Sequence, residues 1–193
     1  MRLTVKLGDY LWRPLTASED DTEFVLQVRN SPAAQAALFS PSTTRDDHLL
    51  YLKLAEERGE ITWIIERMGE KVGTSSIYGV DRKNRKATGR IVATMPEAHL
   101  LNSLVLAYVI FEVLGLNKMH GEALASNTAS NKAFERYFAV QEGLLREDRF
   151  IGGVARDVVV YGALASDWRD SREGLFARFG RPEIIHTDVE EGC

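Results

Sequence analysis

The stretch that decides the architecture runs Lys118-Met-His-Gly-Glu-Ala-Leu-Ala125, Ser126-Asn-Thr-Ala-Ser130, Phe134-Glu-Arg-Tyr137, Glu142-Gly-Leu-Leu-Arg146-Glu147, Arg156-Asp-Val-Val-Val-Tyr161 and Ala165-Ser-Asp-Trp168. Residues 118–125 read as a strand. Ser126 or Asn127 then offers a side-chain oxygen that caps a helix running through Tyr137. Residues 149–165 hold two strand-like runs around Gly152-Gly153, which is a hairpin signal. A strand, a helix and a returning hairpin in succession predict a crossover within one sheet.

Outward from this block, residues 3–15 read as one opening strand with Pro14 near its end. Glu19-Asp-Asp21 marks a helix start, where acidic groups meet the positive end of the dipole. Phe24, Val25 and Val28 follow at helical spacing. Pro32 and Pro41 bracket a loop. Thr44 caps a second helix to residue 58, with Leu49, Leu50, Leu52, Leu54 and Ala55 on its buried side and Gly59 as its stop. Strand runs follow at residues 61–67, 71–80 and 86–95, separated by polar turns. Residues 101–114 form a strongly apolar helix ended by Gly115. The order β-α-α-β-β-β-α-β-α-β-β predicts an α/β (α+β) fold. Its central sheet is mixed and mostly antiparallel, with helices on both faces. The domain is read as residues 1–170. Residues 171–193 are read as a tail in which Leu175, Phe176 and Phe179 make one docking turn and residues 186–193 are mobile.

Composition narrows the function classes. A chain of 193 residues suits one domain with one core. Apolar residues at 45% and charged residues at 27% are an ordinary globular balance. A net charge of −4 disfavours a nucleic-acid partner. The one cysteine, Cys193, cannot close an internal disulfide, so a reducing, cytoplasmic setting is expected. No segment of signal-peptide pattern opens the chain. Asn102, Ser103 and Glu112 interrupt the apolar run 100–116, which reads as a buried helix rather than a membrane span. His48, His99, His120 and His186 lack paired metal-ligand spacing, so no metal is expected.

With this element order, residues 11–168 resemble the GCN5-related N-acetyltransferases. The chain is most similar to the branch that acetylates the 4-amino group of a UDP-linked altrosamine in pseudaminic acid synthesis. It is also similar to ribosomal-protein N-terminal acetyltransferases. The residues shared with the sugar branch are Gln27-Val-Arg29-Asn30, His48, the block 142–147, and Gly152-Gly153 followed by Asp157. The resemblance implies acyl transfer from acetyl-CoA to the amine of a nucleotide-linked amino sugar in surface-glycan or flagellin-glycan biosynthesis. It places Arg29 and His48 near the nucleotide or sugar, and it allows a homodimer. A protein N-terminal acetyltransferase and a non-catalytic binding module stand as alternatives. Without the resemblance, Arg29 satisfies the last carbonyls of its helix, His48 is a surface or capping residue, and Asp157 makes a weak ion pair with Arg156.

Transfer of this kind needs a donor for the developing oxyanion, which the fold supplies from free backbone N–H groups where two strands part, here in residues 89–94. The proton transfers need polar side chains facing the splay, for which Tyr78, Ser76 and Thr94 are candidates; alternation puts Thr74, Ser76 and Tyr78 on one face, and Tyr78 is the catalytic candidate that lines the pocket. The resemblance implies that the cofactor lies along Thr94, Met95, His99, Leu100, Leu101, Asn102, Asn127 and Phe134. Its pyrophosphate is expected at a helix N-terminus. The family's glycine-rich loop is replaced there by residues 96–103, which contain no glycine. The family's acid tyrosine, counted from Asn127 and Ser130, falls on Phe134, which has no proton to give. Tyr137 is the substitute acid, nearly one helical turn and about 5 Å away.

Overall fold

The computed structural model describes residues 2–39, 42–136 and 139–188. Strands β1 (Arg2–Leu7) and β2 (Tyr10–Pro14) form a hairpin rather than one strand. The break falls at Gly8, whose φ of 57° suits a residue without a Cβ. Helix α1 (Glu19–Arg29) starts at Ser18, whose side chain accepts from the Asp21 N–H at 3.3 Å. The expected loop after it holds a short helix, α2 (Pro32–Ala37), because Ser31 caps and Pro32 is tolerated in a first turn. Helix α3 (Arg45–Glu57) opens on a reciprocal capping box between Thr44 and Asp47.

Strands β3 (Ile61–Arg67), β4 (Glu70–Asp81) and β5 (Lys86–Ala93) form an antiparallel meander. Helix α4 (Pro96–Tyr108) begins five residues before the expected start, with Pro96 in its first turn, and runs into a π-helical turn at Val109–Val113. Then come β6 (Lys118–Leu124), α5 (Thr128–Glu135), β7 (Val140–Ile151), β8 (Val154–Leu164), α6 (Ala165–Phe179) and β9 (Glu183–Asp188).

The nine strands lie in one sheet in the order β7-β8-β6-β5-β4-β3-β2-β1-β9. Among the described residues, β5–β6 is its one parallel pair. The main core lies on one face, where Leu101, Leu104 and Val105 of α4 pack against Trp12, Trp63, Ile77 and Met119. A smaller cluster on the other face sets Val28 and Ala34 against Val92. The sheet is thus clamped by α4 and α6 on one side and by α1 to α3 on the other. Its mixed architecture is the one expected from the element order.

The boundary expected at residue 170 is corrected. Helix α6 passes through it to Phe179, and Leu175, Phe176 and Phe179 pack on the main core. The apolar residues recur at helical spacing beyond Trp168, and Phe176 meets the Trp168 ring edge-on at 5.6 Å. Gly180, at φ 87°, ends the helix, and β9 then pairs with β1. The last residues of the expected mobile tail, 189–193, lie outside the described residues. No helix among the described residues is long and apolar enough to cross a membrane.

Candidate active site

Strands β5 and β6 pair over three positions, Lys86–Lys118, Ala87–Met119 and Thr88–His120. Beyond these each strand follows its outer neighbour, β5 staying with β4 to Ala93 and β6 with β8 to Leu124. A wedge therefore opens in the middle of the sheet. The Arg85 carbonyl accepts from the Asn117 and Lys118 N–H groups, so the odd residues of β5 turn their backbone toward β6. Consistently, the Thr94 N–H points the other way and donates to the Val72 carbonyl at 2.9 Å. The N–H groups of Ile91 and Ala93 face the wedge beyond the last paired position. These are donors of the kind that stabilise an oxyanion.

Two glycines line the wedge. A Cβ on Gly89 would come 2.7 Å from Leu106 Cδ1, and one on Gly121 would come 2.4 Å from Phe134 Cε1. The cleft between them is mostly apolar and is bounded by Leu106, Met119, His120 and Phe134. Asn127 caps α5, its side chain accepting from the Ser130 N–H at 3.1 Å. That helix lays Phe134 flat on the Tyr161 ring, 4.7 Å between centroids and 16° between planes. The Tyr161 hydroxyl donates to Asn131 Oδ1 at 3.2 Å, and burial followed by Glu135 pushes its pKa up. His120 stands at the apex of the wedge, with Nε2 3.3 Å from Glu122 Oε1. Neither Tyr161 nor His120 was singled out from sequence, because only the strand register brings them to the gap. Tyr137 lies outside the described residues.

The start of α4 points at the mouth of the wedge without a side-chain cap from Met95. Its first-turn Glu97 carboxylate accepts from the Tyr10 hydroxyl at 2.8 Å. Burial and that bond push the Tyr10 pKa up to about 12. Of the residues expected along the cofactor, Leu101 is in the main core. Asn102 is fully buried and accepts from Trp12 Nε1 at 2.8 Å. Met95 packs on the same core, and the Thr94 hydroxyl donates to the Val72 carbonyl at 3.0 Å. Leu100 is half-buried, and burial lowers the pKa of His99, whose ring bonds to the backbone of Ala93. What this segment presents to an anion is therefore backbone N–H and helix dipole.

The other face of the same strands carries a cleft of about 380 Å³, counted to the solvent at its mouth. Arg29 from the end of α1 and His48 and Tyr51 from α3 meet Thr62, Ser76 and Arg90 of the sheet there. Register puts Thr74, Ser76 and Tyr78 opposite Val92, Arg90 and Thr88, so these side chains share the face. The Arg90 guanidinium lies 4.5 Å from the centroid of the Tyr78 ring. Arg29 and His48 thus line one cleft, and Arg90 joins them. In the sequence Arg90 is one residue of the strand run 86–95 and carries no signal of its own. The pKa of Arg29 is lowered by burial and then by Arg90, and that of His48 by burial and then by Arg29. Arg29 Nε and His48 Nε2 are buried without a hydrogen-bond partner among the described residues.

One carboxylate positions this cleft. Asp21, 1% exposed, takes two bonds from Arg13, at 2.8 and 2.7 Å, and an ion pair from Lys71 at 2.9 Å. Burial pushes the Asp21 pKa up, but the bonds from Arg13, Lys71 and Thr16 outweigh it and hold the carboxyl below the usual range. The helix that ends in Arg29 is thereby tied to β2 and β4. Asn30 then clasps Thr43 through both its amide groups, at 2.9 and 2.8 Å. Asp157 is not part of the cleft's lining; it accepts from the Glu147 N–H at 2.8 Å, where Glu147 has φ 53° in a bulge of β7. Among the described residues no three His, Cys, Asp or Glu side chains gather as a metal site would require.

No family model matches the chain. It is 29% identical over 119 residues to the uncharacterized N-acetyltransferase YoaA of Bacillus subtilis, covering 58% of this chain and 66% of that one. It is 29% identical over 108 residues to YdaF of the same organism, provisionally named a ribosomal N-acetyltransferase, covering 54% and 59%. The chain therefore spans less than two thirds of the length of either curated relative. Among solved structures, a provisionally assigned acetyltransferase of T. thermophilus superposes with TM-score 0.76 at 25% identity, covering 91% and 96%. The spermidine N-acetyltransferase of Vibrio cholerae, solved with CoA and spermine, gives 0.75 at 21%, covering 84% and 99%. A GCN5-related N-acetyltransferase of Brucella melitensis gives 0.74 at 21%, covering 90% and 84%. The wedge, the helix start at its mouth and these superpositions agree on one architecture: the chain has the fold of the GCN5-related N-acetyltransferases.

Proposed function

We propose that the chain is an acyl-CoA-dependent N-acyltransferase that moves an acetyl group to the amine of a small molecule. The observation that carries this is the parting of β5 and β6 beyond Thr88 and His120, which leaves the Ile91 and Ala93 N–H groups facing a wedge. Acetyl-CoA supplies an activated thioester, and the names of the relatives and the CoA in the Vibrio structure support it as co-substrate. The residues present fit such a donor. The channel between Gly89–Leu106 and Gly121–Phe134 is apolar and narrow, as a pantetheine arm requires, and the uncapped start of α4 suits a pyrophosphate. The Ile91 and Ala93 donors suit the oxygen that gains charge when an amine attacks the acyl carbon. Phe134 has no proton to give, so on transfer the sulfur would leave as thiolate and the proton lost by the amine would pass to solvent or to that thiolate; Tyr137, the acid expected from sequence, lies outside the described residues. Tyr78 acts in this reading by orienting Arg90 rather than by moving a proton.

For the acceptor, Arg29, Arg90 and His48 support a nucleotide-linked amino sugar, in line with the resemblance to the sugar branch. The name of YdaF favours a second reading, acetylation of a protein N-terminus. Phe134 and the glycine-free loop favour the third, a binding module without turnover. Thiol release from acetyl-CoA with UDP-linked amino sugars, N-terminal peptides and spermidine separates them. The first reading expects release with the amino sugars alone; release with none of the three contradicts acyl transfer. A homodimer is proposed through the β7–β8 hairpin, where Val140, Leu144, Leu145 and Phe150 are exposed on and beside an edge strand. Sedimentation at micromolar concentration tests this, and a strict monomer rejects it. A cytoplasmic, reducing setting stays a proposal that rests on the single cysteine.

A further inference from the structure

We infer that the acceptor carries an anionic group, a phosphate or a carboxylate, which seats between the guanidiniums of Arg29 and Arg90 beside His48. The word acceptor rests on the acyl-transfer reading above; the anion site itself stands on the geometry alone.

Among the described residues several other enclosed cations are paired, and Arg67, whose Nε is also without a partner, lies over the Tyr10 ring. Arg13 is bonded to Asp21 and Glu66, Lys71 to Asp20 and Asp21, and Arg172 to Glu112. Arg29 and Arg90 line one cleft, repel each other, and have no ion pair among the described residues. Arg90 rests on the Tyr78 ring, which fixes its plane and leaves its N–H fork free. Asp21 is committed to Arg13, Lys71 and Thr16, and Glu60, which feels the charges of both Arg58, at 3.9 Å, and Arg90 and also bonds Tyr51, makes no ion pair with Arg90. Setting two half-buried like charges beside a buried histidine whose Nε2 has no partner is unfavourable unless a ligand completes the set. The one ligand charge that relieves all three is negative.

The site also sits where an acceptor must. Arg90 precedes Ile91, whose N–H faces the wedge, and one strand residue is about 3.3 Å. The anion and the attacked carbonyl are therefore about one side chain apart, so the amine and the anion belong to one small molecule. A polycation is repelled from the same place. Phosphate and carboxylate share this chemistry, and the test separates them.

The test is calorimetric titration of the intact protein, without acetyl-CoA, using inorganic pyrophosphate, malonate and spermidine as probes. The expected result is one-to-one binding of pyrophosphate, malonate or both, weakening as salt rises, and no binding of spermidine. Tighter pyrophosphate points to a phosphorylated acceptor, and tighter malonate to a carboxylated one. R29M and R90Q are each expected to weaken the bound anion at least tenfold while the melting temperature stays level or rises, because each removes a repelled charge. The variants also localise the site, since pyrophosphate held at the start of α4 would ignore them. The proposal is overturned by no anion binding, by binding insensitive to both substitutions, or by R29M lowering the melting temperature with anion affinity intact. Because no acyl donor is present, failure here is distinct from failure of thiol release.

Discussion

At the scale of single residues, Asp21 matters most for the geometry of the cleft. It anchors α1 through Arg13 and Lys71, so Asp21→Asn leaves both cations short of a counter-charge. Breaking such a pair costs about 3–5 kcal/mol, read as a lowered denaturation midpoint; an unchanged midpoint contradicts the anchoring role. Asp21 was legible only as a charge at a helix start, since its partners lie 8 and 50 residues away in sequence. His48 and His99 carry a second prediction. Burial lowers both pKa values below 6.5, so the unfolded chain binds more protons near pH 6 than the folded one. Stability is then complete above pH 6.5 and falls as pH drops below it, by up to about 1.4 kcal/mol per pH unit for each histidine. His48→Gln should flatten the acid limb of a plot of melting temperature against pH. An unaltered slope would show that His48 protonates freely in the folded state.

At the scale of elements, the wedge depends on a pair of glycines facing two apolar side chains. Gly121→Ala would set a methyl 2.4 Å from Phe134 and force the ring off Tyr161. Overpacking of this kind costs about 1–3 kcal/mol, and acetyl-CoA affinity should fall with it. Normal affinity in a stable variant would mean that the cofactor takes another route. The elements themselves were largely legible. Thr44 announced α3, Gly59 ended the helical segment before β3, and Gly152-Gly153 marked the β7–β8 hairpin. What sequence could not show was the register that puts Tyr161 and His120 at the wedge and Arg90 in the cleft with Arg29 and His48. Strand alternation assigns a face, but only pairing assigns a neighbour. The short helix α2 was missed because Pro32 reads equally as a loop residue and as the first turn of a helix.

At the scale of the whole molecule, α6 and β9 close the fold rather than trail from it. A chain ended at Asp170 loses Leu175, Phe176 and Phe179 from the core and uncovers the β1 edge. It should lose its cooperative unfolding transition, followed by circular dichroism on heating; a truncated chain that melts like the intact one would restore the boundary expected from sequence. The fold class was legible because it follows from element order, whereas the closing strand was not, since Glu183–Asp188 gives a short, weakly alternating signal. The enzymatic reading as a whole stands on the gap between β5 and β6. It is tested most directly by titrating acetyl-CoA into the isotopically labelled protein and following the backbone amides by NMR. Saturable one-to-one binding with the largest shifts at Ile91 and Ala93 is the predicted result. Saturation that leaves those two amides unmoved, or no binding at millimolar cofactor, contradicts it.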